Sequence, residues 1–391
     1  MASRFDAVLD RSELSTMKWE AEWAKAGSRD VLCYGTADMD FRSPEPVLQA
    51  LRTVIDRGHL GYPYIRTSFY EAVGGWLERS AGWKIDAAKE LACNVSIYTS
   101  VWNLLDALTV PGDEVIIQTP VHFCFREMIE VNGRKAVFNP LICSDGRYTM
   151  DFDQLERCFT ERTKIVWLCN PHNPVGRAWS RAELERVAEI CKNHDVWIVS
   201  DDVYCGLLYE GTQYVPVASV SEDAAMRTVT CYSPSKTYNT TGIKFSFIVA
   251  QNPELMAKYR QSLHRLDLDY GINALGLAVA EAAYSQCDGW TRELMAYVAE
   301  NHAMLCQAVQ QMPKVRLCKA EATYFAWMDW RKTELDDVGL HRMLREAGLV
   351  MESGAELGPG GSGWLRMNLA CPHSVLQAGL ARLKTAYDNH V

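Results

Sequence analysis

The chain has 391 residues, 48% of them hydrophobic and 23% charged, with a formal net charge of −9. That length allows two domains, or one large domain with an appendage, around a sizeable core, and the composition excludes a disordered chain. The acidic balance and the lack of any long basic run argue against nucleic acid as a partner, and no stretch approaches the roughly 18 consecutive apolar residues of a membrane span.

The N-terminal stretch MASRFDAVLDRSELSTMKWE contains no apolar run of the kind a secretory signal needs, so a cytoplasmic location is expected. Thirteen cysteines are scattered with no C-x-x-C pair, which points to free thiols in a reducing compartment and to no metal site. Residues 1–45 match neither of the patterns that follow and are expected to pack on a small C-terminal domain. A large domain is expected over 46–285 and the small one over 286–391.

In the large domain, short apolar runs alternate with helical patterns. The runs are 114–118, 136–138, 164–169, 196–199, 228–232 and 246–250, and they are β-branched and nearly continuous. Such runs predict strands covered on both faces. Between two of them, Ser180 and Glu183 form a capping box that opens an amphipathic helix. Strand, helix, strand at this spacing predicts right-handed crossovers and a mostly parallel sheet. Beyond residue 285, helical segments near 290–311 and 338–348 flank strand-like runs at 323–328 and 363–368, an α+β pattern. The glycine-rich run 358–363 precedes a strand rather than a helix and reads as a flexible loop. No dinucleotide fingerprint, phosphate-binding P-loop or H-E-x-x-H motif occurs.

Ligands of an open parallel sheet bind outside the carboxyl ends of its strands. The run ending at Cys169 is followed by Asn170-Pro171-His172-Asn173-Pro174-Val175-Gly176, the run ending at Ser200 by Asp201-Asp202-Val203-Tyr204, and the run ending at Tyr232 by Ser233-Pro234-Ser235-Lys236. One sheet edge thus gathers an amide, a carboxylate, a phenol, hydroxyls and a lysine. Singly each residue has a plain structural role: a solvated charge, a cap or a turn. Jointly they are what pyridoxal phosphate demands. That cofactor needs an amine for its Schiff base, a carboxylate for the pyridinium nitrogen, donors for the phenolate oxygen, and hydroxyls with a cation for the phosphate. A lysine near its free pKa of about 10.4 is a poor nucleophile, and burial beside other cations would activate it.

The segments Asn173-Pro174-Val175-Gly176, Asp201-x-x-Tyr204 and Ser233-x-Ser235-Lys236 resemble those of the fold-type I pyridoxal-phosphate enzymes, the class I/II aminotransferase superfamily. Within it, Ala37-Asp38-Met39-Asp40-Phe41, Gly61-Tyr62, Gln118-Thr119-Pro120, the 170–177 segment and Ser235-Lys236-Thr237-x-Asn239 resemble the cystathionine β-lyase-like C–S lyases of the MalY/PatB branch. The resemblance implies a large α/β domain with a mostly parallel sheet flanked by helices, and a smaller α+β domain. It also implies that Lys236 carries the cofactor and shuttles the substrate Cα proton, that Asp201 pairs with the ring nitrogen, and that Asn173 and Tyr204 bind the phenolate oxygen. The phosphate would lie at the start of the helix after Ser96-Ile97-Tyr98, with further contacts from Ser233, Ser235 and Lys244. Arg366 would bind the substrate carboxylate, and Tyr62 would reach the phosphate of a neighbouring subunit in a homodimer with shared sites.

Several positions depart from the lyase branch. Gly35-Thr36 replace a usual tryptophan, His122 replaces the tyrosine that stacks on the cofactor ring, and Tyr204 replaces a histidine. A histidine at 122 can stack, and it also titrates near neutrality. These changes imply a specialised substrate, with room at Gly35 and Thr36 for a bulky S-conjugated cysteine of the kind processed in natural-product pathways such as lincosamide antibiotic biosynthesis. The expected reaction is α,β-elimination from an S-substituted L-cysteine to a thiol, pyruvate and ammonia. Transamination, decarboxylative oxidative deamination and a regulatory pyridoxal-phosphate-binding role remain open at this level.

Overall fold

The computed structural model describes residues 3–12, 14–269 and 272–391. Its central sheet has seven strands in the spatial order Leu91–Asn94, Ser246–Val249, Thr228–Tyr232, Trp197–Asp201, Thr163–Cys169, Glu114–Thr119 and Lys135–Pro140. The last five run parallel, while Ser246–Val249 is antiparallel to both of its neighbours. The sheet is therefore mostly parallel, as the β-branched runs predict.

Alternation along each strand sends side chains to opposite faces. Ile116, Val166, Leu168 and Ile198 join one apolar cluster, whereas Val115, Ile117, Ile165, Trp167 and Val199 join another. Burying each such side chain contributes about 1.5–3 kcal/mol, so both faces must be covered by helices. One covering helix, Arg181–Asn193, starts at the capping box: Ser180 accepts from the Glu183 amide, and the Glu183 carboxylate accepts from the Ser180 amide. The strand Leu91–Asn94 was not among the predicted runs. Its sequence LACN is short and lacks β-branched residues, and it becomes a strand only by pairing with Ser246–Val249.

The register of the sheet sets up the site. Cys169 pairs with Asp201, and Asp201 with Cys231, so three successive strands end level with one another. Two further bonds hold the exits together, Asn170 N–H to the Asp201 carbonyl and Asp202 N–H to the Cys231 carbonyl, each at 3.0 Å. The three segments that follow must leave the sheet at one edge.

After the helix Asp288–Val309, a four-stranded antiparallel sheet is built in the order Arg316–Leu317, Phe325–Asp329, Trp364–Asn368, Glu352–Ser353. Helices Asp337–Glu346 and His373–His390 accompany it. Near the N-terminus, Leu32–Cys33 pairs parallel with Leu349–Val350. The buried Asp40 carboxylate anchors that segment through Arg11 and Lys18, each at 2.9 Å, and through Trp19 Nε1 at 3.0 Å. The glycine-rich run 358–363 is pinned rather than loose. The Leu357 carbonyl accepts from Val121 N–H at 2.9 Å, the Gly358 Cα faces the Thr119 side chain, and Asp337 takes the Gly363 amide at 2.8 Å.

Arg177 ties the two regions together. It is buried, donates to Glu321 at 2.7 Å and to Glu183 at 2.8 Å, reaches the Tyr148 carbonyl, and lies over the Trp179 ring. Replacing Arg177 with alanine should lower unfolding free energy by about 2–4 kcal/mol, below the range for a fully buried pair because both carboxylates touch solvent. Urea denaturation checks this.

Among the described residues no helix is long and apolar enough to cross a membrane, and no cluster of His, Cys, Asp and Glu could hold a metal ion. The thirteen cysteines are unbridged.

Candidate active site

The strand Thr228–Tyr232 gives way to Ser233, whose hydroxyl donates to the Phe245 carbonyl at 2.6 Å and accepts from Ser235 N–H at 3.2 Å. This cap, followed by Pro234 in the first helical position, starts the single-turn helix Pro234–Thr237 that carries Lys236. Lys236 Nζ donates to the Ala37 carbonyl at 2.8 Å. Burial lowers its pKa to about 8, with Arg366 and Lys244 adding to the push and Asp38 and Asp201 opposing it.

Lys236 and Asp201 share a cavity of about 150 Å³ with Ser233, Ser235, Lys244 and the Ser96–Tyr98 segment. Asp201 is buried at the end of its strand, and burial raises its carboxyl to about 7 against the Val203 N–H and Lys236. Behind it, Ser200 and Tyr214 donate to the buried Asp202, and Tyr214 meets the Tyr232 hydroxyl at 2.8 Å. At the opposite end of the chemistry, Ser96 caps the helix Ile97–Leu108 by accepting from Thr99 N–H at 3.1 Å. The Ile97 and Tyr98 amides in that first turn have no helical acceptor and carry the positive end of the helix dipole. Lys244 is exposed, held at φ 52° just before the Ser246–Val249 strand.

A second cluster adjoins the cavity around Arg366, which is 1% exposed. Its Nη1 donates to Asn173 Oδ1 at 2.9 Å, and its Nη2 donates to the Gly35 carbonyl at 2.8 Å and to Glu352 at 3.0 Å. The guanidinium lies 4.1 Å from the Phe325 ring centroid, and its Nε is buried without a partner. Tyr204 is buried against Tyr324 and Phe325, and burial raises its phenol well above the ordinary range.

His122 faces Tyr98, whose hydroxyl lies 3.2 Å from His122 Nδ1 with the rings nearly parallel. Burial first, then Arg366 and Lys236, lowers the imidazole pKa to about 3. The expectation that it titrates near neutrality is thereby corrected: the ring stays neutral at physiological pH. Gly35 is also placed differently from expectation. A Cβ there would lie in ordinary contact with the backbone of Met351 and Glu352 at 3.5–3.6 Å, so the position faces the 350–352 segment, and Gly35 is not among the residues lining the cavity. Gly35 instead contributes its carbonyl to Arg366. Thr36 is exposed, and its carbonyl accepts from Asn368 at 2.8 Å. Tyr62 is 92% exposed and stands outside the cavity of its own chain.

Sequence reasoning missed Glu352, which reaches Arg366 only through the antiparallel register Glu352↔Arg366. It also missed Val95, Thr241 and Phe245 in the cavity wall. Val203 in the same wall carried a signal, its place inside Asp201-x-x-Tyr204.

The donor set fits pyridoxal phosphate. An activated amine and a buried carboxylate stand in one cavity, free helix-start amides with Ser235 and Lys244 suit a phosphate, and the unpartnered Arg366 Nε suits an anion. The expected phosphate contact from Ser233 is corrected, because its one hydroxyl donor goes to the Phe245 carbonyl. These groups define an enzyme site for that cofactor on a doubly covered, mostly parallel sheet. The chain belongs to the aminotransferase class I and II family, whose model matches residues 29–383. It is 38% identical to cystathionine beta-lyase PatB of Bacillus subtilis over 98% of this chain and 99% of that protein. Cystalysin from Treponema denticola, whose crystal structure contains pyridoxal 5'-phosphate, superposes with a TM-score of 0.95 at 29% identity, covering both chains fully. The pyridoxal-phosphate-bound C–S lyase from Staphylococcus hominis gives 0.92 at 29% identity over 99% of this chain and 98% of that one.

Proposed function

We propose that this chain is a pyridoxal-phosphate-dependent C–S lyase that eliminates a thiol from an S-substituted L-cysteine, leaving pyruvate and ammonia. The observation that carries the proposal is Lys236 and Asp201 in one cavity with the anion-binding start of the Ile97–Leu108 helix, beside a buried Arg366. The names of its relatives favour C–S cleavage over transamination. When bound, pyridoxal phosphate supplies the electron sink for the pair released at the substrate Cα.

The protein supplies position and proton transfer. Ser235, Lys244 and the Ile97 and Tyr98 amides would hold the phosphate, while Ser233, whose one hydroxyl donor goes to the Phe245 carbonyl, shapes the turn beneath it. Asp201 would face a cationic ring nitrogen, which would draw its raised pKa back toward the carboxylate form. Asn173 and Tyr204 serve the phenolate oxygen. Arg366 orients the substrate carboxylate through its planar fork. Lys236 Nζ takes the Cα proton, and its lowered pKa leaves a useful fraction of neutral amine near pH 7. Loss of the thiolate from Cβ then gives aminoacrylate, which water converts to pyruvate and ammonia.

A bulky S-substituent would pass His122, whose ring is smaller than the tyrosine of the lyase branch. Tyr62 and its neighbours Leu60 and Tyr64, all strongly exposed, fit a homodimer in which Tyr62 completes the partner's site. Unbridged cysteines suit a reducing cytoplasm.

Incubating the holoenzyme with S-alkyl-L-cysteines should release thiol and pyruvate in equal amounts. A keto acid retaining the sulfur, or carbon dioxide with an aldehyde, would overturn the elimination. In the cofactor-free protein, the rate at which Lys236 condenses with added pyridoxal phosphate should climb as pH rises toward about 8, because deprotonation creates the nucleophile, and flatten above it.

A further inference from the structure

The guanidinium of Arg366 already holds a carboxylate. An arginine has five N–H donors. Both donors of Nη2 are committed, one to the Gly35 carbonyl at 2.8 Å and one to Glu352 at 3.0 Å, and Nη1 gives one to Asn173 at 2.9 Å. What remains is one N–H on Nη1 and the N–H of Nε, which is buried without a partner. A bidentate carboxylate needs two parallel donors, either Nη1 with Nη2 or Nε with Nη2, and both pairs include Nη2. An incoming carboxylate must therefore displace an acceptor from Nη2.

Gly35 cannot yield easily. Its carbonyl belongs to a segment held by the bonds Tyr34 N–H to Val350 O at 2.7 Å and Asn368 N–H to Tyr34 O at 2.8 Å. Glu352 can yield, because it is a long side chain that retains 15% exposure. Once displaced or shared it remains beside Arg366, an anion that a guanidinium shared with the substrate carboxylate no longer balances. Glu356 lies close enough that Glu352 contributes, after burial, to raising its carboxyl pKa. The rim beside Arg366 is thus acidic.

We propose that Glu352 determines substrate charge: it disfavours cysteine S-conjugates with an anionic S-substituent and favours those that are neutral or cationic. This deepens the lyase reading and rests on Arg366 as the receptor for the substrate carboxylate. Glu352 acts on substrate choice through its charge and takes no part in the proton transfers.

The test uses the holoenzyme and its Glu352→Gln variant with S-carboxymethyl-L-cysteine, S-ethyl-L-cysteine and S-(2-aminoethyl)-L-cysteine. Glutamine keeps a hydrogen-bond acceptor for Arg366 and removes the charge. The wild-type preference in kcat/KM for the aminoethyl over the carboxymethyl compound should fall by about tenfold or more in the variant, the scale of removing one charge a few ångströms away in a partly wetted site. The ratio is taken within each protein, so any effect of the substitution common to all three compounds cancels. An equal preference in both proteins overturns the proposal, as does a uniform fall for all three compounds, which is what a purely structural role gives. Dissociation constants from calorimetry supply the same ratio independently of turnover. If wild type releases no thiol or pyruvate while the binding ratio still shifts, the lyase reading fails and the charge filter stands. If none of the three compounds binds, both fall.

Discussion

Replacing Lys236 with alanine is expected to lower turnover by at least about 10⁴-fold, the upper range for a single acid–base group, and to abolish the covalent chromophore that the amine forms with its cofactor. No other amine in the cavity can substitute. Lys244 is exposed and fixed in a left-handed backbone conformation just before the next strand. The variant should still fold. In the cofactor-free protein the Lys236 pKa is about 8, below its ordinary 10.5, so the folded state disfavours the charged amine. That penalty is present in full below pH 8, fades between pH 8 and 10.5, and is gone above. Removing the side chain at pH 7 therefore relieves it, and the cofactor-free variant should unfold no earlier than cofactor-free wild type in urea. Retained thiol release by well-folded Lys236→Ala protein would sink the assignment.

The second large effect is expected at Arg366. Substituting leucine should raise KM for S-substituted cysteines by at least about 100-fold, since a buried charge-assisted partner is lost. It should also cost about 2–4 kcal/mol of stability, discounted as for Arg177 because Glu352 touches solvent, since Glu352 and the Gly35 carbonyl lose their donor within the fold. Arg366→Lys separates the two effects. It preserves the charge beside Glu352 and so much of the stability, but a point charge cannot reproduce the fork, so KM stays high. Equal kinetics for Arg366→Lys and wild type would contradict carboxylate binding through paired donors. Thermal unfolding and steady-state kinetics on the same preparations decide it.

The two variants probe parts of the site that differ in how openly the sequence announces them. Lys236, Asp201 and Ser233 follow strands whose continuous β-branched runs are visible in any window, and the rule that ligands gather at the carboxyl ends of parallel strands places them together before any coordinates are known. Their individual roles came with the family resemblance rather than with the spacing. The capping box at Ser180 is equally local, because a cap is a contact between residues three apart.

Other features had no local signature. Leu91–Asn94 has no strand propensity to display and exists through its partner. Glu352 is one acidic residue among forty-nine acidic side chains until antiparallel pairing sets it opposite Arg366. Gly35 read as a widened pocket, yet the direction of its missing side chain depends on how the 32–36 segment lies on the 349–352 chain. His122 read as a titrating ring until burial beside two cations made it neutral. The sequence by itself determined the parallel strands, their order along the chain and the edge where chemistry collects, since periodicity, caps and turn residues act over a few positions. Tertiary structure alone decided which charges face one another, because register and desolvation arise only when segments distant along the chain are packed together, 14 residues apart for Glu352 and Arg366 and 331 for Gly35 and Arg366.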